Sequence, residues 1–292
     1  MHIPVLLQEV IKFLNPQSNE NFIDATVGEG GYAMAILQYT APLGKILGID
    51  LDEESLKVAR ENLAAFENRV ILKQGNYKDI DQMAKKVDIL PVNGIVFDLG
   101  LGTFQIEDSS RGFSFLRDEP LKMTFDLGCE MSAEKVINES SLELLTKIFQ
   151  EYGEEKNAYK IAQAIVEERK NKKITKTSEL VEIIEKTVDG RHNRLHPATK
   201  VFQALRIYVN DELNNLKEGL EKSVKILDKD GRIAVVSYHS LEDRLVKKFY
   251  KEKEKEGILK IITKKPITPT KVEVLNNRRS RSAKLRIAQK IK

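Results

Sequence analysis

Phe22-Ile-Asp-Ala-Thr-Val-Gly-Glu-Gly-Gly-Tyr32 is the stretch whose reading decides the fold. It reads as the end of a buried strand, a glycine-rich turn and the first turn of a helix. A second apolar run, Lys45-Ile-Leu-Gly-Ile-Asp50, ends on a carboxylate, and a third, Gly94-Ile-Val-Phe-Asp98, ends on another. In an open α/β sheet the ligand crevice lies outside the carboxyl ends of parallel strands. Gly28, Gly30 and Gly31 let the main chain come close to a ligand there. An acid about 20 residues past such a turn is placed to accept the two hydroxyls of a ribose. The expected ligand therefore contains adenosine.

Working outward, a short helix is expected over 6–13. Asp52-Glu-Glu-Ser opens a helix, its acids suited to the positive end of the dipole. Val70-Ile-Leu-Lys-Gln74 is a further strand, so residues 22–98 read as βαβαβαβ and predict a parallel doubly wound sheet. From about 103 to 200 no strand is legible; helices are expected over 132–138, 142–150, 154–170 and 178–188, an insertion of domain size. The sheet resumes after one long helix over 198–227, with Gly231-Arg-Ile-Ala-Val-Val-Ser237 as a strand. Residues 258–264 and 283–291 alternate in the manner of a hairpin at the sheet edge.

Composition bounds the class. With 292 residues, 41% hydrophobic and 32% charged, the chain can bury a real core and is not of disordered type. No apolar run approaches a membrane span, and the first residues lack the pattern of a signal peptide. Cys129 is the only cysteine, which excludes an internal disulfide or a cysteine-based metal site and fits a reducing, cytoplasmic location. His2, His192 and His196 are too scattered to suggest a metal. Charge is unevenly placed. Residues 244–292 carry seventeen Lys/Arg against four Glu, a net +13, while the rest of the chain carries −9. Such a patch is the footprint of a polyanion. Lys251-Glu-Lys-Glu-Lys-Glu256 alternates in sign and reads as an exposed helix, whereas Arg278-Arg-Ser-Arg281 holds three Arg and no acid and reads as nucleic-acid binding.

The glycine pattern departs from that of a nicotinamide site. Asp24 stands at the strand end itself, and carboxylates at Asp24 and Asp98 suit a ligand bearing a sulfonium and an α-amino group better than one bearing a diphosphate. The final antiparallel strand also suits a methyltransferase sheet. S-adenosylmethionine is the cofactor these features favour.

At this point the chain resembles the MraW/RsmH family of methyltransferases. The matching segments span nearly its whole length: His2-Ile-Pro-Val-Leu-Leu-Gln-Glu9, Asp24-Ala-Thr-Val-Gly-Glu-Gly-Gly31, Asp98-Leu-Gly100, Arg111-Gly-Phe-Ser-Phe115, His196-Pro-Ala-Thr-Lys-Val-Phe-Gln-Ala-Leu-Arg-Ile207, Val209-Asn-Asp-Glu-Leu213, Ser237-Tyr-His-Ser-Leu-Glu-Asp-Arg244 and Arg279-Ser-Arg-Ser-Ala-Lys-Leu-Arg286. The resemblance implies a class I methyltransferase, α/β with a Rossmann-like sheet at 1–106 and 201–292 and an inserted all-helical substrate-recognition domain at 107–200. It implies transfer of a methyl group from S-adenosylmethionine to the N4 amine of a cytidine in the decoding region of 16S rRNA, with the small ribosomal subunit as partner. A homodimer is compatible with it; a membrane or a metal is not called for.

Cofactor contacts are thereby expected at Asp24, Gly28, Gly30, Gly31, Tyr32, Asp50, Tyr77, Asp98 and Gln105. Asp50 would take the ribose, Tyr77 would cover the adenine or pack in the core, and Gln105 would fix a polar end. Asp98 is the candidate catalytic group, accepting the N4 hydrogen. The RNA side is expected to use Arg111, Phe113, Arg206, Tyr238, His239, Arg279 and Arg281, with aromatic rings offered to an unstacked base. Phe104 and Phe115 are further candidates. Arg206 with Asn210 and Asp211 fits a structural salt-bridge network equally well. Departures from the family pattern sit near the acceptor: Lys122 for Asp, Thr124 for Arg, Gly102-Thr103 for two serines, and Tyr32 for His. They keep open a shifted RNA acceptor, or a cofactor-binding protein of ribosome assembly without catalysis.

Overall fold

In the computed structural model, which describes residues 4–102, 110–126, 128–188 and 196–292, the first hundred residues alternate strand and helix. Helix α1 (Leu7–Leu14) is followed by β1 (Phe22–Asp24), α2 (Gly31–Tyr39), β2 (Ile46–Asp50), α3 (Glu53–Asn62), β3 (Val70–Gln74), α4 (Ile80–Lys86) and β4 (Val92–Asp98). Residues 101–212 supply α5 (Ala133–Glu139), α6 (Leu142–Glu151), α7 (Ala158–Glu168), α8 (Thr177–Thr187) and α9 (Ala198–Asn210). The chain returns with α10 (Glu212–Ile226), β5 (Leu227–Ser237), α11 (Ser240–Lys255), β6 (Leu259–Ile261), α12 (Lys271–Asn276) and β7 (Lys284–Lys290). It divides into two compact units, 1–100 with 213–292, and 101–212.

The first unit is built on a seven-stranded sheet of order β3-β2-β1-β4-β5-β7-β6. β1 pairs in parallel with both β2 and β4, Phe22 standing opposite Ile46 on one side and Gly94 on the other. The direction of winding reverses at that point, which is where such a sheet opens a crevice at its carboxyl edge. Residues alternate between faces with period two. Phe22, Ile46, Val96, Ala234 and Ile287 pack with α1, α2 and α3. Their neighbours Ile23, Leu47, Ile95, Phe97 and Ile233 pack with α4, α10 and α11.

Two expectations change in detail. Strands β6 and β7 do pair antiparallel, but β7 also pairs with β5, so β6 alone forms the edge. The long helix over 198–227 is broken at Asp211, which adopts a left-handed conformation with φ 50° and separates α9 from α10. Aspartate tolerates that region better than most residues.

The second unit is helical, and among the described residues it contains no strand beyond one isolated bridge, Pro120 to Lys176. Its core gathers Leu121, Met123, Ile137, Phe149, Ile161, Leu180 and Leu205. Ser132 and Ser141 cap α5 and α6 through side-chain oxygens that accept backbone N–H groups, the arrangement that satisfies the free donors of a helix start.

Gly94 carries a specific packing constraint. A Cβ there would stand 2.4 Å from Cε1 of Phe22, whose ring is fully buried. Gly94→Ala should cost about 1–3 kcal/mol, the usual penalty for overfilling a core, read as a lower urea midpoint with an unchanged slope. An unchanged midpoint would show that this ring is not locked.

Candidate functional site

The crevice is framed by backbone first. Ala25 N–H donates to Val96 O (2.9 Å) and Val27 N–H to Ile49 O (2.8 Å), so the chain leaves β1 still tied to β4 and β2. It then turns through Gly28 (φ +50°) and Gly30 (φ +90°), conformations that favour glycine. A Cβ on Gly31 would stand 2.4 Å from the Pro4 ring, so α2 can start there only with the small residue. The glycines thus serve both the turn and the seating of the N-terminal segment.

Three carboxylates meet at this edge. Asp50 at the end of β2 accepts Gly28 N–H (2.9 Å) on one oxygen and Asp52 N–H (2.9 Å) on the other, which locks the turn to the strand. Asp98 at the end of β4 accepts the Tyr238 hydroxyl at 2.7 Å, while its own N–H donates to Thr26 Oγ1 (2.7 Å). Asp24 is fully buried; Oδ1 accepts a long bond from Thr26 N–H (3.3 Å), and Oδ2 has no partner. A buried carboxylate oxygen without a donor is unfavourable and calls for an explanation. Burial, with the charges of Asp98 and Asp50 nearby, pushes Asp24 up to about 8, against the opposing Thr26 hydrogen bond. Burial also raises Asp50 and Asp98 to about 6, less because backbone N–H groups and the Tyr238 hydroxyl favour their charged forms. The same burial beside Asp98 holds the Tyr238 hydroxyl well above its ordinary value, so it stays a donor.

The remaining candidates in this unit fall into distinct settings. Tyr77 follows a turn fixed by Gly75 N–H on Asp50 O (2.9 Å). Its half-buried ring packs edge-on against Phe97 (5.6 Å), in space left by Gly219 of α10. Tyr32 is buried and its hydroxyl donates to the Val5 carbonyl. His239 caps α11, its Nε2 lying 3.0 Å from Glu242 Oε1, and Glu242 Oε2 accepts Tyr238 N–H (2.8 Å). Arg279 is half-buried and Arg281 exposed, on a short turn of 3-10 helix at Arg278–Ser282.

Arg111, Phe113 and Arg206 belong to the second unit. Arg111 is buried and donates to Phe125 O (3.1 Å), and Phe113 stacks on Phe125 at 5.3 Å. Arg206 binds Glu212 through two bonds of 2.8 Å, and Asn210 ties Met123 and Phe125 to α9. Gln105, Thr103 and Phe104 lie outside the described residues.

Sequence reasoning missed Thr26 as an organiser of this edge. Glu242 is expected from sequence at the ligand-facing edge, and it stands three residues after the cap of α11 in the manner of a capping box. The Tyr238–Asp98 bond had no sequence signal, since 140 residues separate the partners.

Residues 1–291 match the model of the MraW methylase family. Ribosomal RNA small subunit methyltransferase H of Persephonella marina is 47% identical over 292 residues, covering 99% of each chain. The protein of the same name from Thermotoga neapolitana is 46% identical over 293 residues, covering 99% of this chain and 95% of its own. A solved structure of a candidate rRNA methylase from Clostridium thermocellum superposes with a TM-score of 0.50 over 100% of both chains at 12% identity, a likeness of fold.

Asp24 gives the site a pH signature. Its folded value of about 8 lies above the ordinary 3.8, so the stability held by its proton is complete below about 3.8 and is lost as pH rises through about 8. Asp24→Asn should flatten the fall of melting temperature across the alkaline half of that window. Parallel curves for the variant and the parent would show that Asp24 is ionised throughout.

Proposed function

The chain belongs to the MraW methylase family, and from that premise we propose that it methylates the N4 amine of a cytidine in the decoding region of 16S rRNA, using S-adenosylmethionine. The observation that carries the cofactor reading is the fully buried Asp24 with its unpartnered Oδ2, flanked by Asp50 and Asp98 beside the glycine turn. A cationic ligand compensates such a cluster and draws off its protons. Residues 24–31 would pass beside the methionine end, Asp50 would accept ribose hydroxyls, and Tyr77 would lie along the base.

Bound S-adenosylmethionine supplies an electrophilic methyl group on a cationic sulfur. The chain's own part is placement and proton handling. The cytosine N4 lone pair is delocalised into the ring and must be turned towards the methyl carbon, and in-line placement supplies most of the rate. Forming the N4–methyl bond would break the sulfur–methyl bond, whose electron pair would stay on sulfur as a neutral thioether, and N4 would shed one proton. Asp98, raised only to about 6 and therefore largely ionised at neutral pH, accepts it. Tyr238 holds one Asp98 oxygen and orients the carboxylate for that task. The helical unit is read as the substrate-recognition domain, with Arg111, Phe113 and Arg206 shaping it from within, while His239, Arg279 and Arg281 lie on the RNA side of the first unit.

Transfer of labelled methyl to unmodified small subunits and to naked 16S rRNA, followed by nucleoside analysis, tests this. N4-methylated cytidine is the expected product. Methyl on another nucleoside would mean a shifted acceptor, which Lys122 and Thr124, both lining a groove of ≈ 480 Å³ in the helical unit, would then be the first residues to explain. No transfer with cofactor binding intact would overturn the catalytic reading. Asp50→Ala should weaken S-adenosylmethionine binding about 10- to 100-fold by calorimetry, the size of a lost charged hydrogen bond; unchanged affinity would defeat the ribose assignment.

A further inference from the structure

Away from the strand-end crevice, α11 and the β6–β7 edge border a groove of ≈ 210 Å³. Lys247 and Lys251 line it from one turn apart on α11, and Lys264 lines it from the segment after β6. All three are exposed, and among the described residues their side chains make no hydrogen bond or ion pair. Of the other charges in the lining, Arg286 is ion-paired and Glu254 keeps its negative charge. Arg286 is neutralised by Asp243 through bonds of 2.6 and 3.2 Å, and Glu254 accepts Ile261 N–H at 2.9 Å. On the same helix Lys253 is paired with both Glu221 and Glu256, each at 3.1 Å. Helix α11 therefore has a neutralised flank and a bare cationic flank, and the bare flank is the one that borders a groove. Three unpaired ammonium groups against the one carboxylate of Glu254 leave the lining net cationic and favour an anion there.

We propose that this groove holds the phosphodiester backbone of the RNA substrate at a distance from the methylated nucleotide; this rests on the reading of the substrate as RNA. The local charge is complementary: residues 244–292 carry +13 and the remainder −9. A polyanion is thus drawn to this surface and repelled from the rest. The contact is of the positioning kind, without base readout, because the aromatic ring in the lining, Tyr250, is buried with its hydroxyl donated to Ile233 O (3.1 Å). A cationic groove that tracks a backbone needs no more than this.

The test is the triple variant Lys247→Gln/Lys251→Gln/Lys264→Gln, assayed for binding to unmodified 16S rRNA over a range of salt. Each lost phosphate contact removes about 0.7–0.9 from the slope of log affinity against log salt, so the slope should shrink by about 2–3. S-adenosylmethionine affinity and melting temperature should be unchanged. A control variant, Lys85→Gln/Lys86→Gln/Lys229→Gln, removes equal charge outside the segment and should leave the slope near that of the parent. Equal losses in both variants, or no loss in the groove variant, would overturn the proposal. Intact binding to naked RNA with impaired methylation of assembled subunits would also overturn it, in favour of an acidic protein partner. If the parent neither binds nor methylates RNA, the RNA reading fails first, so the two failures are distinguishable.

Discussion

Asp24 is sealed from water with one oxygen unsatisfied, and Asp50 and Asp98 share its edge of the sheet. Burying carboxyl groups together is costly, because they must give up charge or hydration, and a folded chain bears it only where surrounding structure enforces it. Here the enforcement is the parallel pairing of β1 with β2 and β4, which places all three strand ends side by side. The glycine turn, the Pro4 contact on Gly31 and the N–H groups of Gly28 and Asp52 complete it. A cationic ligand at this edge would offset that cost, which is why the carboxylates and the glycines have to be understood together.

The return of the chain finishes the site. Strand β5 brings Tyr238 to Asp98, and Glu242 fixes the main chain of Tyr238 while helping to cap α11. One oxygen of Asp98 is thereby oriented, and the Tyr238 hydrogen bond offsets part of the rise that burial imposes on its carboxyl. Tyr238, read from sequence as a platform for the base, holds the candidate catalytic carboxylate through its hydroxyl. Helix α11 begins at this turn and presents bare lysines further along, so one helix borders both the Asp98 edge and the groove.

Much of this was legible in advance. The strand ends at Asp24, Asp50 and Asp98, the turn at Gly28 and Gly30, and the antiparallel β6–β7 pair follow from period-two apolar runs and from glycine's freedom, which are local properties. The break at Asp211 was not legible, because 198–227 is helical in pattern throughout and one left-handed residue leaves no periodic trace. Tyr32 and Tyr77 show the same limit. Each follows a motif that suggests a ligand, yet whether a ring faces a ligand or the core depends on distant neighbours such as Val5 and Gly219.

By itself the sequence determined the sheet, the glycine turn, the acidic strand ends, the helical insertion and the lopsided charge, because each is written in neighbouring residues or in a sum over a segment. Tertiary structure alone decided which carboxylate is buried, which oxygen has a partner, that Tyr238 serves Asp98, and that three lysines of the basic segment stay bare while Lys253 is neutralised. Those outcomes depend on groups tens to hundreds of residues apart meeting within about 3 Å, where desolvation and hydrogen-bond geometry set the energy, and no local pattern encodes such a meeting.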